Sequence, residues 1–112
     1  MQPFTKRVIE IIKAIPKGTV MTYGQIAEQA GSRRGARQVV RILHSLSSIH
    51  QLPWHRVVNA KGEIAIRDEE ARYMQSFYLN EEGVETSTDG RVDLDKYRHH
   101  THAGEEDFYP HE

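Results

Sequence analysis

The sequence predicts a mainly α-helical domain with small β-hairpins, arranged as a winged helix-turn-helix of the kind that binds DNA. Three observations predict it. Apolar residues recur at helical spacing in four segments. A glycine-containing turn joins the second and third of these. Short β-branched runs broken by Gly turns follow them.

Phe4, Val8, Ile11, Ile12 and Ile15 recur every three or four residues, so 4–15 reads as an amphipathic helix. Pro16-Lys17-Gly18 ends it, because proline cannot continue the hydrogen-bond ladder and glycine tolerates the turn. Thr22 is placed to cap a second helix over 23–30, with Ile26, Ala27 and Ala30 inward. Gly31 stops it. Ser32 then caps a third helix over 33–45, whose apolar stripe is Ala36, Val39, Val40 and Leu43. Residues 44–52, rich in Ser and His, read as a loop. Val57-Val58 and Ile64-Ala65-Ile66 flank Asn59-Ala60-Lys61-Gly62, a hairpin signal that predicts the wing. Asp68 caps a last helix over 69–82, with Ala71, Met74, Tyr78 and Leu79 inward and Gly83 at its C′ position. Val84 to Val92 reads as a second hairpin turning at Asp89-Gly90. The domain is predicted over 1–97. Residues 98–112, polar and weakly patterned, read as a disordered tail, with His99, His100 and His102 as solvated side chains rather than a metal site.

Composition narrows the function. The sequence contains no cysteine, which removes disulfides, thiolate metal sites and every cysteine mechanism. No apolar run approaches the length of a membrane helix, and Met1-Gln2-Pro3-Phe4 does not open a signal peptide, so a cytoplasmic protein is predicted. The net charge of −1 hides a division. Residues 1–58 carry nine Lys/Arg against two acids, and residues 59–112 carry six against fourteen. Arg33, Arg34, Arg37 and Arg41 cluster at the third helix, with no acid between Glu28 and Glu63. A basic helix of this kind suits the phosphate backbone of a duplex.

The stretch Pro53-Trp54-His55-Arg56-Val57 resembles the Pro-Cys-His-Arg-Val motif of the O6-alkylguanine-DNA alkyltransferases, with Trp54 at the nucleophilic cysteine. Ile15-Pro16-Lys17-Gly18, Thr22 to Ala27, Ala36-Arg37-Gln38-Val39 and Glu81-Glu82-Gly83 extend the resemblance over about residues 4–85. The separate N-terminal domain of many such enzymes has no counterpart here. Those enzymes use a thiolate to attack the alkyl carbon. Indole offers no such nucleophile, since its nitrogen lone pair belongs to the ring. The sequence is therefore most similar to the alkyltransferase-like proteins, which bind alkylated guanine without repairing it.

The resemblance implies that the third helix enters the minor groove, the lesion nucleotide is flipped into a pocket, and the duplex bends toward its major groove. It implies that Arg37 replaces the extruded base in the stack, with Arg33, Arg34, Gln38 and Arg41 also on DNA. Tyr23 presses on the phosphate 3′ to the lesion. The carbonyls of Trp54 and Val57 accept from the guanine amine, Trp54 lines the pocket beside the alkyl group, and Arg67 lies over or donates to the purine. His55 and Glu82, which activate the cysteine in the enzymes, remain as structural partners with no catalytic role. Leu46 stands at the loop asparagine that braces the enzyme site. No cofactor or metal is implied. The implied partners are double-stranded DNA containing O6-alkylguanine and nucleotide excision repair proteins, met by a monomer. Without the motif, the same helices and charges suit a winged-helix transcription regulator reading undamaged DNA.

Overall fold

The computed structural model describes residues 1–100. Helix α1 (Pro3–Lys13) starts at a proline, which sits well in a first helical turn. Strand β1 (Met21–Thr22) leads directly into α2 (Tyr23–Gln29). Thr22 and Gln25 form a reciprocal capping box: the Thr22 hydroxyl accepts from the Gln25 backbone N–H, and the Gln25 side chain accepts from the Thr22 N–H. Helix α3 runs Ala36–His50, followed by a 3₁₀ turn (Trp54–Arg56) and strand β2 (Val57–Val58). Asp68 caps α4 (Glu69–Glu81) by accepting from the Ala71 N–H, and Gly83 follows at φ +87°. A last turn, α5 (Leu94–Tyr97), closes the described fold.

Strands β1 and β2 pair in parallel, Met21 against Val57 and Thr22 against Val58. Because successive strand residues point to opposite faces, this short sheet divides two cores. Met21 and Val57 join α1, α2 and α3 in one, with Val8, Ile12, Ile26, Val39 and Leu43. Val20 and Val58 face the other, with Ile64, Leu79, Val84, Val92 and Tyr97.

Five expectations are corrected. Val57-Val58 does not pair with 64–66. It pairs with β1, and Glu63 bridges Arg91 instead, although Asn59 to Gly62 does form the turn. Two valines buried on both faces are worth more against two cores than in an exposed wing. Residues 44–50 are helical rather than a loop. Leu46 packs on the first core one turn after Leu43, and that burial outweighs the low helix propensity of Ser45, Ser47 and Ser48. Helix α3 begins at Ala36, so Arg33 and Arg34 lie in the preceding turn, and Val40 is exposed while Ile42 is buried. Helix α4 turns Gln75 and Leu79 inward, leaving Tyr78 on the surface. Finally, the ordered chain continues past Tyr97: Arg98 bridges Val20, and the His99 N–H donates to the Val20 carbonyl at 2.8 Å. The rest of the predicted tail, 101–112 with His102, lies outside the described residues.

Candidate nucleic-acid interface

Helix α3 carries two features in line. Arg37, Arg41, His44 and Ser48 fall at i, i+4, i+7 and i+11, so they form one exposed ridge about 16 Å long. Gln38 is exposed beside them. Arg34, in the turn before, is exposed too. Among the described residues, no carboxylate lies within ion-pair distance of Arg34, Arg37 or Arg41. Arg33 has Glu28 at 3.8 Å, a contact that solvent largely screens. The N-cap residue Gly35 supplies no side-chain acceptor to the start of α3. A Cβ there would meet the tip of the Phe4 ring at 2.9 Å and the Ser32 carbonyl at 3.3 Å, so the ring would have to shift. The positive end of the α3 dipole therefore adds to the arginines.

At its other end the ridge runs into an open cleft of about 480 Å³ lined by Ser47, Ser48, Gln51, Leu52, Trp54, His55 and Tyr78. The α3 terminus shapes it. Gln51 adopts the left-handed conformation, φ 53°, and the Leu52 N–H returns to the Ser47 carbonyl at 2.8 Å. That reversal delivers Pro53 and the 3₁₀ turn against α4. Trp54 is half-buried, with Tyr78 edge-on at 6.3 Å and His55 edge-on at 6.4 Å. An indole in this position presents an apolar face and one N–H donor.

Beneath the cleft, charge holds the motif in place. The Glu82 carboxylate accepts from Arg56 Nε–H at 2.9 Å and Nη2–H at 2.6 Å, from the Gly18 N–H at 3.3 Å, and contacts His55 Nε2 at 2.9 Å. Arg56 also donates to the Ile15 carbonyl at 2.8 Å. Burial alone would raise the Glu82 pKa, but the Arg56, His55 and Gly18 donors outweigh it and hold the group at about 2. Gln75, buried on α4, donates its amide N–H groups to the carbonyls of His55 (3.1 Å) and Val57 (2.9 Å). Its own carbonyl has no partner among the described residues.

The structure brings Trp54, His55 and Glu82 together and places Val57 directly behind them, 1 % exposed. The Trp54 carbonyl accepts from the Val57 N–H and the Val57 carbonyl from the Gln75 amide, and Val57 does not line the Trp54 cleft. Tyr23 opens α2, half-buried against the first core, and burial raises its phenol pKa. Arg67 is exposed in the segment before α4. Neither Tyr23 nor Arg67 lines the Trp54 cleft. Leu46 sits inside α3 on the core, so no brace loop exists at that position. Sequence reasoning missed Arg56 as the main partner of Glu82, Gln75 as the donor to the motif, and Tyr78 as a cleft wall. Arg56 lies inside the motif, but its partner is 26 residues away and no local pattern joins them.

Residues 3–84 match the family of the 6-O-methylguanine DNA methyltransferase DNA-binding domain. The chain is 45 % identical over 95 residues to the DNA base-flipping protein of Escherichia coli (strain K12), covering 85 % of this chain and 73 % of that one. It is 42 % identical over 86 residues to alkyltransferase-like protein 1 of Schizosaccharomyces pombe, covering 76 % and 80 %. The fold superposes on the crystal structure of S. pombe Atl1 in complex with damaged DNA containing O6-carboxymethylguanine. That match has a TM-score of 0.78 and 36 % identity, over 90 % of this chain and 98 % of that one. With tryptophan in the Pro-Trp-His-Arg-Val motif, the chain belongs to the O6-alkylguanine-DNA alkyltransferase family, among its alkyltransferase-like members.

Proposed function

We propose that this protein is a non-enzymatic sensor of O6-alkylguanine in duplex DNA, which holds the lesion flipped out of the helix and leaves the alkyl group in place. The observation that carries the reading is the arginine ridge of α3 running into the Trp54 cleft. Helix α3 thus presents cations to the duplex, and the 3₁₀ turn that follows it presents a flat apolar wall to an extruded base. The S. pombe relative solved on damaged DNA supports the same reading.

In this reading Arg37 fills the gap in the stack, where a planar cation recovers part of the few kcal/mol lost on extrusion. Arg33, Arg34, Gln38 and Arg41 hold the backbone, and Tyr23 bears on the phosphate beside the lesion. Trp54 contacts the adduct with little demand on its size. The Trp54 and Val57 carbonyls accept from the guanine amine, and Arg67 approaches the purine from outside the cleft. Alkyl transfer needs a nucleophile stronger than neutral water, and no thiolate is available in this sequence. A bound, unrepaired lesion serves the cell only if it is seen, so the complex marks the site for nucleotide excision repair. A single lesion requires only a monomer, working in the cytoplasm.

The test is fluorescence anisotropy on two duplexes differing only by one O6-methylguanine, at fixed salt, with intact-mass analysis of the protein afterwards. Preference for the lesion duplex with unchanged protein mass and persisting adduct is expected. Equal affinity would return the protein to the undamaged-DNA regulators. A mass gain equal to the alkyl group would make it an enzyme.

A further inference from the structure

Helix α4 carries a second exposed surface that the DNA reading does not use. Glu69, Tyr73, Phe77 and Glu81 recur every four residues and form a ridge about 18 Å long on its outer side. The helix buries Gln75 and Leu79 on its inner side. Tyr73 is 67 % exposed and Phe77 44 %, and their rings stack at 6.5 Å with 21° between planes. Phe77 also meets Tyr78, itself exposed, at 5.9 Å. Tyr73 and Phe77, two neighbouring aromatic rings in water on one helix face beside the Tyr78 wall of the cleft, form an apolar patch of the kind that marks an interaction surface.

Carboxylates surround this patch. Glu69 and Glu70 sit at one end and Glu81 at the other. Among the described residues none of the three has a cationic partner within ion-pair distance. The one cation on α4, Arg72, reaches toward Gly90 and lines a cleft there with Tyr73, and Arg67 is exposed two residues before Glu69. Lys17 lies across the cleft from Glu81 and offsets part of its charge, while Asp68, Glu69 and Glu70 outnumber Arg67 at the other end. This pattern selects one kind of occupant. Duplex phosphates and anionic lipid are repelled by it. A second copy docking the same face would oppose like charges. A protein segment bearing arginines is attracted, and guanidinium also stacks on tyrosine and phenylalanine rings.

We propose that the Glu69-Tyr73-Phe77-Glu81 face of α4 is a docking site for an arginine-bearing segment of a partner protein. The site is carried on a different helix from the arginine ridge, so one molecule engages DNA through α3 and the partner through α4. The proposal does not depend on whether the DNA is damaged.

The test uses the full chain and a fluorescein-labelled helical peptide carrying arginines and leucines, with its glutamine-for-arginine counterpart as control. The peptide is titrated without DNA, because it would bind DNA itself. The arginine peptide is expected to bind, and the counterpart is not. Tyr73→Ser with Phe77→Ser is expected to weaken binding by about tenfold or more, as loss of central aromatic anchors does. Glu69→Lys with Glu70→Lys should do the same. Tyr73→Ser alone, at a side chain 67 % exposed and outside the Trp54 cleft, should weaken peptide binding and leave duplex affinity unchanged. Glu69→Lys with Glu70→Lys places two cations in the first turn of α4 and is expected to lower the melting midpoint as well. Peptide binding that survives the serine variants would show only diffuse attraction to an acidic half and overturn the site. Absence of binding to the unsubstituted protein would overturn it too.

Discussion

Replacing Glu82 by Gln removes the charge that holds the Trp54-His55-Arg56 turn in place while keeping the side-chain shape. The carboxylate collects two Arg56 donors, the Gly18 N–H and the His55 ring. An amide in its place leaves the guanidinium uncompensated and turns one acceptor into a donor facing other donors. Two routes to the magnitude converge. The pKa falls from an ordinary 4.5 to about 2; at about 1.36 kcal/mol per unit, the ionised form carries at most about 3 kcal/mol. Removing one partner of a buried ion pair costs about 3–5 kcal/mol. Glu82 and Arg56 each keep 12 % side-chain exposure, which places this pair at the lower end. The expected loss is about 2–3 kcal/mol at pH 7, or roughly 10–20 °C in melting midpoint for a domain of this size.

The pH dependence makes the reasoning refutable. The folded-state pKa lies below the unfolded one, so the unfolded chain takes up this proton first as pH falls. The contribution is complete above about pH 5, and it is lost as pH drops from 4.5 toward about 2. The gap between the original protein and Glu82→Gln should therefore close across that window. Thermal unfolding followed by far-ultraviolet circular dichroism at pH 7, 5, 3.5 and 2.5 measures it. A gap below about 0.5 kcal/mol at pH 7, the size of an ordinary surface change, would refute the charge lock. So would a gap that stays constant with pH.

Arg37→Ala should weaken lesion-duplex binding at least about tenfold, because it removes both a phosphate-range charge and the proposed stack filler. Arg33→Ala, already facing Glu28, should cost less and mainly lower the salt slope; equal losses in an anisotropy salt titration would count against base flipping. Trp54 is the only tryptophan in the sequence, so its emission reports the cleft directly. The lesion duplex should change that emission more than its unmodified twin, and identical spectra would place the base elsewhere. Gly62→Ala should destabilise by about 1–3 kcal/mol, since φ is +81° and a Cβ would overlap the Val92 carbonyl. A urea midpoint unchanged from the original would show that this crossing relaxes freely.

What the sequence determined by itself was local or compositional. Thr22 and Asp68 announce helix starts because a short side-chain oxygen satisfies the first N–H groups, whatever lies around it. Gly83 announces a helix end because only a residue without Cβ takes its positive φ cheaply. The Pro-Trp-His-Arg-Val motif, the four arginines and the lack of any thiol were equally legible, and they carry the family and the direction of the chemistry. Helix periodicity found α1 and α4, but it misjudged the α4 face. Ala71, Met74 and Tyr78 keep the helical spacing of an inner face as well as Leu79 does, and only the position of the motif carbonyls draws Gln75 inward. Tertiary structure alone decided the pairing of Val57-Val58 with Met21-Thr22, because two valines leave register and partner open until two cores compete for them. It also decided the length of α3, where burial of Leu46 overrides a serine-rich composition. The Arg56–Glu82 lock was beyond any pattern in the chain. An ion pair between distant residues has no periodicity, and its strength comes from the burial that the folded motif and α4 create together.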